Sequence, residues 1–134
     1  MTHPYEYAVL RVVPRVERGE SMNAGVLLYC RQLDYLGSRI SLDVDRLLAL
    51  DPDADPSGVE RALRAAADVC AAAPSSGPAG QEDRGHRFRW LTAPRSTVVQ
   101  PGPVHTGLTN DPDADADRLL RLLVLPLRPE ETGR

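Results

Sequence analysis

The chain has 134 residues, 42% of them hydrophobic, and a net charge of −3. A single domain of that length can bury roughly two thirds of its unfolded surface, and the composition excludes an intrinsically disordered chain. All 16 basic residues are arginine; a mildly acidic chain with one basic segment is not a general nucleic-acid binder, and no run approaches the roughly twenty apolar residues of a membrane span.

Residues 5–13 (YEYAVLRVV) are aromatic and β-branched, apolar on both faces and closed by Pro14, the pattern of an interior strand. The sequence opens almost directly on it, which leaves no room for a secretory signal, so the expected location is the cytoplasm. Residues 14–23 are a polar loop around Gly19. Residues 24–30 (AGVLLYC) form a second interior strand, expected to pair antiparallel with the first. Residues 34–42 are a weaker third strand with Gly37 as a possible kink, and 44–50 a short helical turn.

Residues 57–73 are the clearest helix. Val59, Ala62, Leu63, Ala66, Ala67 and Cys70 share one face, and Glu60 and Arg64 stand four apart on the other. Pro74 is expected to end it. Residues 74–85, rich in Pro, Gly and Ser, are a flexible loop. Residues 86–91 (HRFRWL) alternate, which predicts a strand with Phe88 and Trp90 on one side and Arg87 and Arg89 on the other. Residues 97–100 are a short strand, 101–110 a loop holding His105, and a second helix runs from Pro112 through Val124 to a stop at Pro126. This order gives one α+β domain over residues 1–134: a mainly antiparallel sheet of about five strands with two helices packed on it.

Cys30 and Cys70 lie in apolar runs without metal-ligand spacing, the placement of small buried hydrophobes in a reducing compartment. The pentapeptide DPDAD occurs at 51–55 and at 111–115, each time before a helix. A calcium loop needs Gly at its sixth position, where Pro56 and Ala116 stand, so the aspartates are read as helix caps.

Two groups of residues could carry function. The first is Arg11, Arg15, Arg18, Glu20 and Asn23. Arg11 sits within an apolar strand, where an unpaired charge is costly; it either pairs with Glu20 and fixes the hairpin or helps to floor a pocket for an anion or a peptide carboxylate. Asn23 followed by Gly25 predicts a turn with an unusual backbone angle. The second group is Arg95, Ser96, Thr97 and His105. It lacks the elbow, oxyanion hole and orienting acid of a serine hydrolase. It reads either as a turn that satisfies its own backbone or, with Arg95, as a phosphate contact. Trp90 and Phe88 are either core residues or part of a partner-facing strand.

The run YEYAVLRVVPRVERGESMNAGVLLYC resembles the opening of a bacterial family catalogued as domain of unknown function 3037, through Arg11, Arg18, Gly19, Glu20, Asn23, Gly25 and Val26. The run FRWLTAPRSTVVQPGPVHTG resembles the same family through Trp90, Arg95, Ser96, His105 and Gly107; Ser21 departs from its pattern, which prefers an apolar residue there. Genes of the family often neighbour those of HipA-like kinases, so the resemblance implies a HipA-like kinase as protein partner; it brings no activity, catalytic residue or cofactor. The sequence has no P-loop and no dinucleotide fingerprint, and no metal site is assigned. The leading expectation is a non-enzymatic module that binds a protein partner. The alternative is a small-molecule enzyme or phosphometabolite binder that uses the arginines with His105. For that alternative, residues 84–107 and the arginine loop should meet in one basic concavity; otherwise the arginines splay onto different faces.

Overall fold

The computed structural model describes residues 1–127. Five strands make one antiparallel sheet: β1 (His3–Val12), β2 (Met22–Cys30), β3 (Tyr35–Ile40), β4 (Val99–Pro101) and β5 (His105–Thr109). The order is β3-β2-β1, and β4 and β5 lie one after the other along the far edge of β1. The first two strands are therefore adjacent, interior and antiparallel, as their apolar runs require. The segment expected to be a loop around His105 is β5, which lies antiparallel to β1 with His105 opposite Tyr7.

Among the described residues four α-helices, rather than two, cover the sheet: α1 (Val44–Leu50), α2 (Pro56–Cys70), α3 (Arg84–Thr92) and α4 (Pro112–Leu123). The added pair are α1, expected only as a helical turn, and α3, expected as a strand. Asp83 caps α3 by accepting from the His86 amide at 2.8 Å. A helix does not keep the alternation of HRFRWL, because residues two apart on a helix stand about 200° round the axis and so face opposite ways. Phe88 accordingly points into the core, fully buried, while Trp90 is 47% exposed. Residues 74–85 contain two 3-10 turns, Pro74–Ser76 and Pro78–Gln81. Helix α2 stops at Cys70, before Pro74, with Ala72 in a left-handed conformation.

Both faces of the sheet are buried, which explains why β1 and β2 read as continuous apolar runs. On one face Leu10, Val12, Met22 and Leu27 pack against Leu47 of α1, Val59, Leu63 and Cys70 of α2, and Phe88 and Leu91 of α3. On the other, Tyr5, Val26, Leu28 and Cys30 pack against Ala116 and Leu119 of α4 and the following Val124. Leu63 is fully buried, so Leu63→Ala is expected to cost about 3 kcal/mol in urea unfolding. The Asn23–Gly25 segment is a β-bulge, not a turn: Leu10 faces Gly25 and Arg11 faces Asn23, leaving Ala24 extra. Gly25 is needed there because a Cβ would lie 2.9 Å from the Arg39 carbonyl oxygen of β3.

Polar contacts seat α4 on β3. Arg39 donates from Nε to Asp117 at 2.6 Å and from Nη2 to Asp113 at 3.2 Å, and the Tyr35 hydroxyl donates to Asp113 at 2.8 Å. Asp111 caps the helix through the Ala114 amide at 3.2 Å, the role expected of the second DPDAD. In the first DPDAD, Asp55 occupies the N-cap position of α2 without a side-chain cap bond. Burial, then the bond to Asp113, pushes the Tyr35 phenol up to about 12. A group whose folded pKa is raised contributes stability that is complete below its unfolded value near 10 and lost as pH rises through the folded value. Stability is therefore expected to decline between about pH 10 and 12 more steeply in the wild type than in Tyr35→Phe.

Candidate functional site

The loop between β1 and β2 carries Arg15, Arg18 and Glu20. Two turns, with Arg18 and Gly19 amides donating back to Arg15 and Val16, and a left-handed Gly19 (φ 72°), fold it over the end of the sheet. Arg15 turns toward the helices α1 and α2. Its Nη2 donates to the buried Asp51 at 3.2 Å and lies 3.6 Å from Asp53. Glu20 pairs with Arg18 at 2.8 Å, not with Arg11. The Arg18 bond holds the Glu20 carboxyl below its usual range, yet both side chains are exposed and such a pair adds little stability. The expected Arg11–Glu20 hairpin lock is replaced by this local pair because two residues of tight turn bring Arg18 and Glu20 together first.

Arg11 instead lies on the α4 face of β1, half-buried, between Asn23 of β2 and Gln100 of β4. Asn23 uses its amide to close the end of α4, donating to the Leu123 carbonyl at 2.9 Å. His105 is on the same face, exposed, its ring 5.3 Å from that of Tyr7. Arg95 is elsewhere. It belongs to the 93–98 segment on the α2 side, where its guanidinium lies 4.6 Å over the Trp90 ring, its Nη2 donates to the Trp90 carbonyl and its Nε donates to that of Ala93 at 3.3 Å. Ser96 is exposed, and the neighbouring Thr97 hydroxyl donates to the Val99 carbonyl at 2.8 Å, so this turn satisfies its own backbone.

The sheet thus divides the residues singled out in the sequence. Arg11, Asn23 and His105 share the α4 face, Arg15 and Arg95 serve the opposite face, and Arg18 with Glu20 stands at the loop tip. One basic concavity is not formed, because alternation along β1 sends Arg11 to the face away from α2. Ser96 and His105 share no hydrogen bond. Burial pushes the Cys70 thiol up to about 11, which leaves it a poor nucleophile at neutral pH. Among the described residues no three His, Cys, Asp or Glu side chains stand together as metal ligands, and no helix is long and apolar enough to cross a membrane.

A concavity lies on the α2 side. It is a groove of about 780 Å³ between α2 and the 97–99 segment, floored by Val59, Ala62 and Ala66 and walled by Pro14, Trp90 and Val99. Small residues on α2 leave it wide, and Ala65 stands exposed at its margin. Asp55 and Asp68 line it from the two ends of α2, thirteen positions and so about 20 Å apart. The one cation lining it among the described residues, Arg95, is held over the indole. Two contacts fix the α3 platform that carries Trp90. Arg89 forks onto Glu6 of β1 at 2.8 and 3.0 Å, and Arg87 donates to the Cys70 carbonyl at the end of α2 at 3.4 Å. Trp90 was open to two readings, core or partner-facing, and the helical period of α3 leaves it outside the core. The groove itself had no signature, since the alanines that line it look like packing residues on a helical wheel.

Residues 7–124 match a family model described as protein of unknown function (DUF3037). No curated protein and no solved structure matches the chain.

Proposed function

The chain belongs to the family described as protein of unknown function (DUF3037), and from that premise we propose that it is a non-enzymatic interaction module whose α2 groove receives a short amphipathic helix from a protein partner. The observation that carries this reading is the half-exposed Trp90 on the wall of an apolar groove. A large aromatic left in water beside small apolar residues gains most from being covered, and such residues dominate interface energetics. The groove follows about 20 Å of α2, room for three to four turns of a helix laid along it, with anchors at i, i+3 or i+4, and i+7. Asp55 and Asp68 at its ends, with Arg95 already engaged, favour a segment whose polar flanks carry arginine or lysine. The partner that the family resemblance implies is a HipA-like kinase, and it is the first to be tried.

Affinity purification from the native host, run in parallel with the wild type and Ala65→Arg, tests the reading. Ala65 is exposed, so arginine there keeps the fold while adding bulk and a charge that repels a cationic segment. The expected result is one stoichiometric protein retained by the wild type and lost by Ala65→Arg. A protein held equally by both would place the interface elsewhere.

A further inference from the structure

The other face of the sheet carries a separate arrangement. Arg15, Arg18, Arg39, Arg89 and Arg118 each meet a carboxylate. Arg31, Arg46, Arg84 and Arg121 are exposed to water. Arg11 differs from both sets: it is half-buried and meets no acceptor among the described residues. A guanidinium drawn partly out of water without an acceptor is costly, and an anion would relieve that cost.

Its position is also fixed. The guanidinium rests against Gly102, where a Cβ would come within 3.2 Å of Cζ and Nη2, so the glycine makes the room it occupies. The Gly102 amide donates to the Val9 carbonyl at 2.7 Å, and His105 lies across from Tyr7. Val9 and Tyr7 are one pleat repeat apart on the same face, which separates Gly102 and His105 by about 7 Å along the strand. The ring of Tyr7 supports the imidazole of His105 from beneath. Beyond it, Arg118 donates to the Tyr5 hydroxyl at 3.3 Å and carries its own carboxylate, Asp115, at 3.1 Å.

We propose that Arg11 and His105 form a site for a phosphate monoester, with Arg11 as the fixed positive charge and the His105 imidazole as the second donor. Donors carried by neighbouring positions of one sheet edge can each hold a different oxygen of one tetrahedral group at about 2.8 Å, and the charge of nearly −2 on that group is attracted to the Arg11 guanidinium. The site lies on the face away from the α2 groove and does not depend on the partner reading.

The test is a titration of the ¹⁵N-labelled chain, followed by amide shifts, with inorganic phosphate, O-phosphoserine and acetate. Saturable shifts at Arg11, Gly102 and His105 are expected, with dissociation constants on the order of 1 mM. O-phosphoserine should bind more tightly than the free ion, and acetate more weakly than either. Arg11→Gln and His105→Gln should each weaken binding at least tenfold, while Arg95→Gln on the opposite face should leave it unchanged. His105 is exposed, so its variant reports on binding even if Arg11→Gln unfolds. The proposal is overturned if the wild type shows no saturable shift, if both site variants bind as well as the wild type, or if acetate equals phosphate. Tighter binding of the free ion than of O-phosphoserine would overturn the assignment to an ester.

Discussion

Phe88→Ala is expected to destabilise the protein by about 3–5 kcal/mol, and Trp90→Ala by less than about 1 kcal/mol. The two residues are neighbours but one in a single helix, and their environments are opposite. Phe88 is fully buried, its ring stacked 5.4 Å from that of Tyr29, among Leu63, Leu91 and the inner face of the sheet. Its removal leaves a cavity that helices held by Arg87 and Arg89 cannot easily close. Trp90 is 47% exposed and gives up little by truncation in the free protein. Urea unfolding of both variants measures the difference. Comparable losses would mean that the two side chains share a face, as in a strand, and that α3 is wrongly placed.

On the proposed groove reading, the same tryptophan is expected to reverse its rank when a partner binds. Trp90→Ala is expected to weaken partner binding at least thirtyfold, corresponding to the roughly 2 kcal/mol or more that a buried aromatic anchor contributes. Ala65→Arg is expected to weaken it at least a hundredfold, through bulk in the groove and repulsion of the partner's cationic flank. Isothermal titration with the purified partner reads both. Affinity retained within threefold in both variants would exclude the groove as the contact surface.

Strands β1 and β2 were legible because runs buried on both faces admit few other readings, and α2 and α4 because their apolar stripes keep a helical period. The antiparallel α+β class followed from that order. Helix α3 was not legible: over six residues, Phe88 and Trp90 with arginines between them satisfy period two, and the cap that decides the matter, Asp83, lay in a segment read as flexible. Strand β5 was hidden for a different reason. Its Gly107, with Gly102 and Pro103 just before the strand, carries little strand propensity, and it is held by backbone pairing to β1 at the sheet edge. In the candidate sites, an odd position in a strand was enough to mark Arg11 as unusual. That Glu20 would pair with Arg18 and not with Arg11 was not readable, because the choice depends on the turn at Gly19.

The fluorescence of Trp90, the chain's single tryptophan, tests the groove reading most directly. In the free protein the indole is half in water, and in the complex a partner helix should cover it. A purified one-to-one complex, with a HipA-like kinase engineered to lack tryptophan as the first choice, should show blue-shifted emission and reduced quenching by acrylamide. A stoichiometric complex whose Trp90 emission and quenching equal those of the free protein would contradict the account.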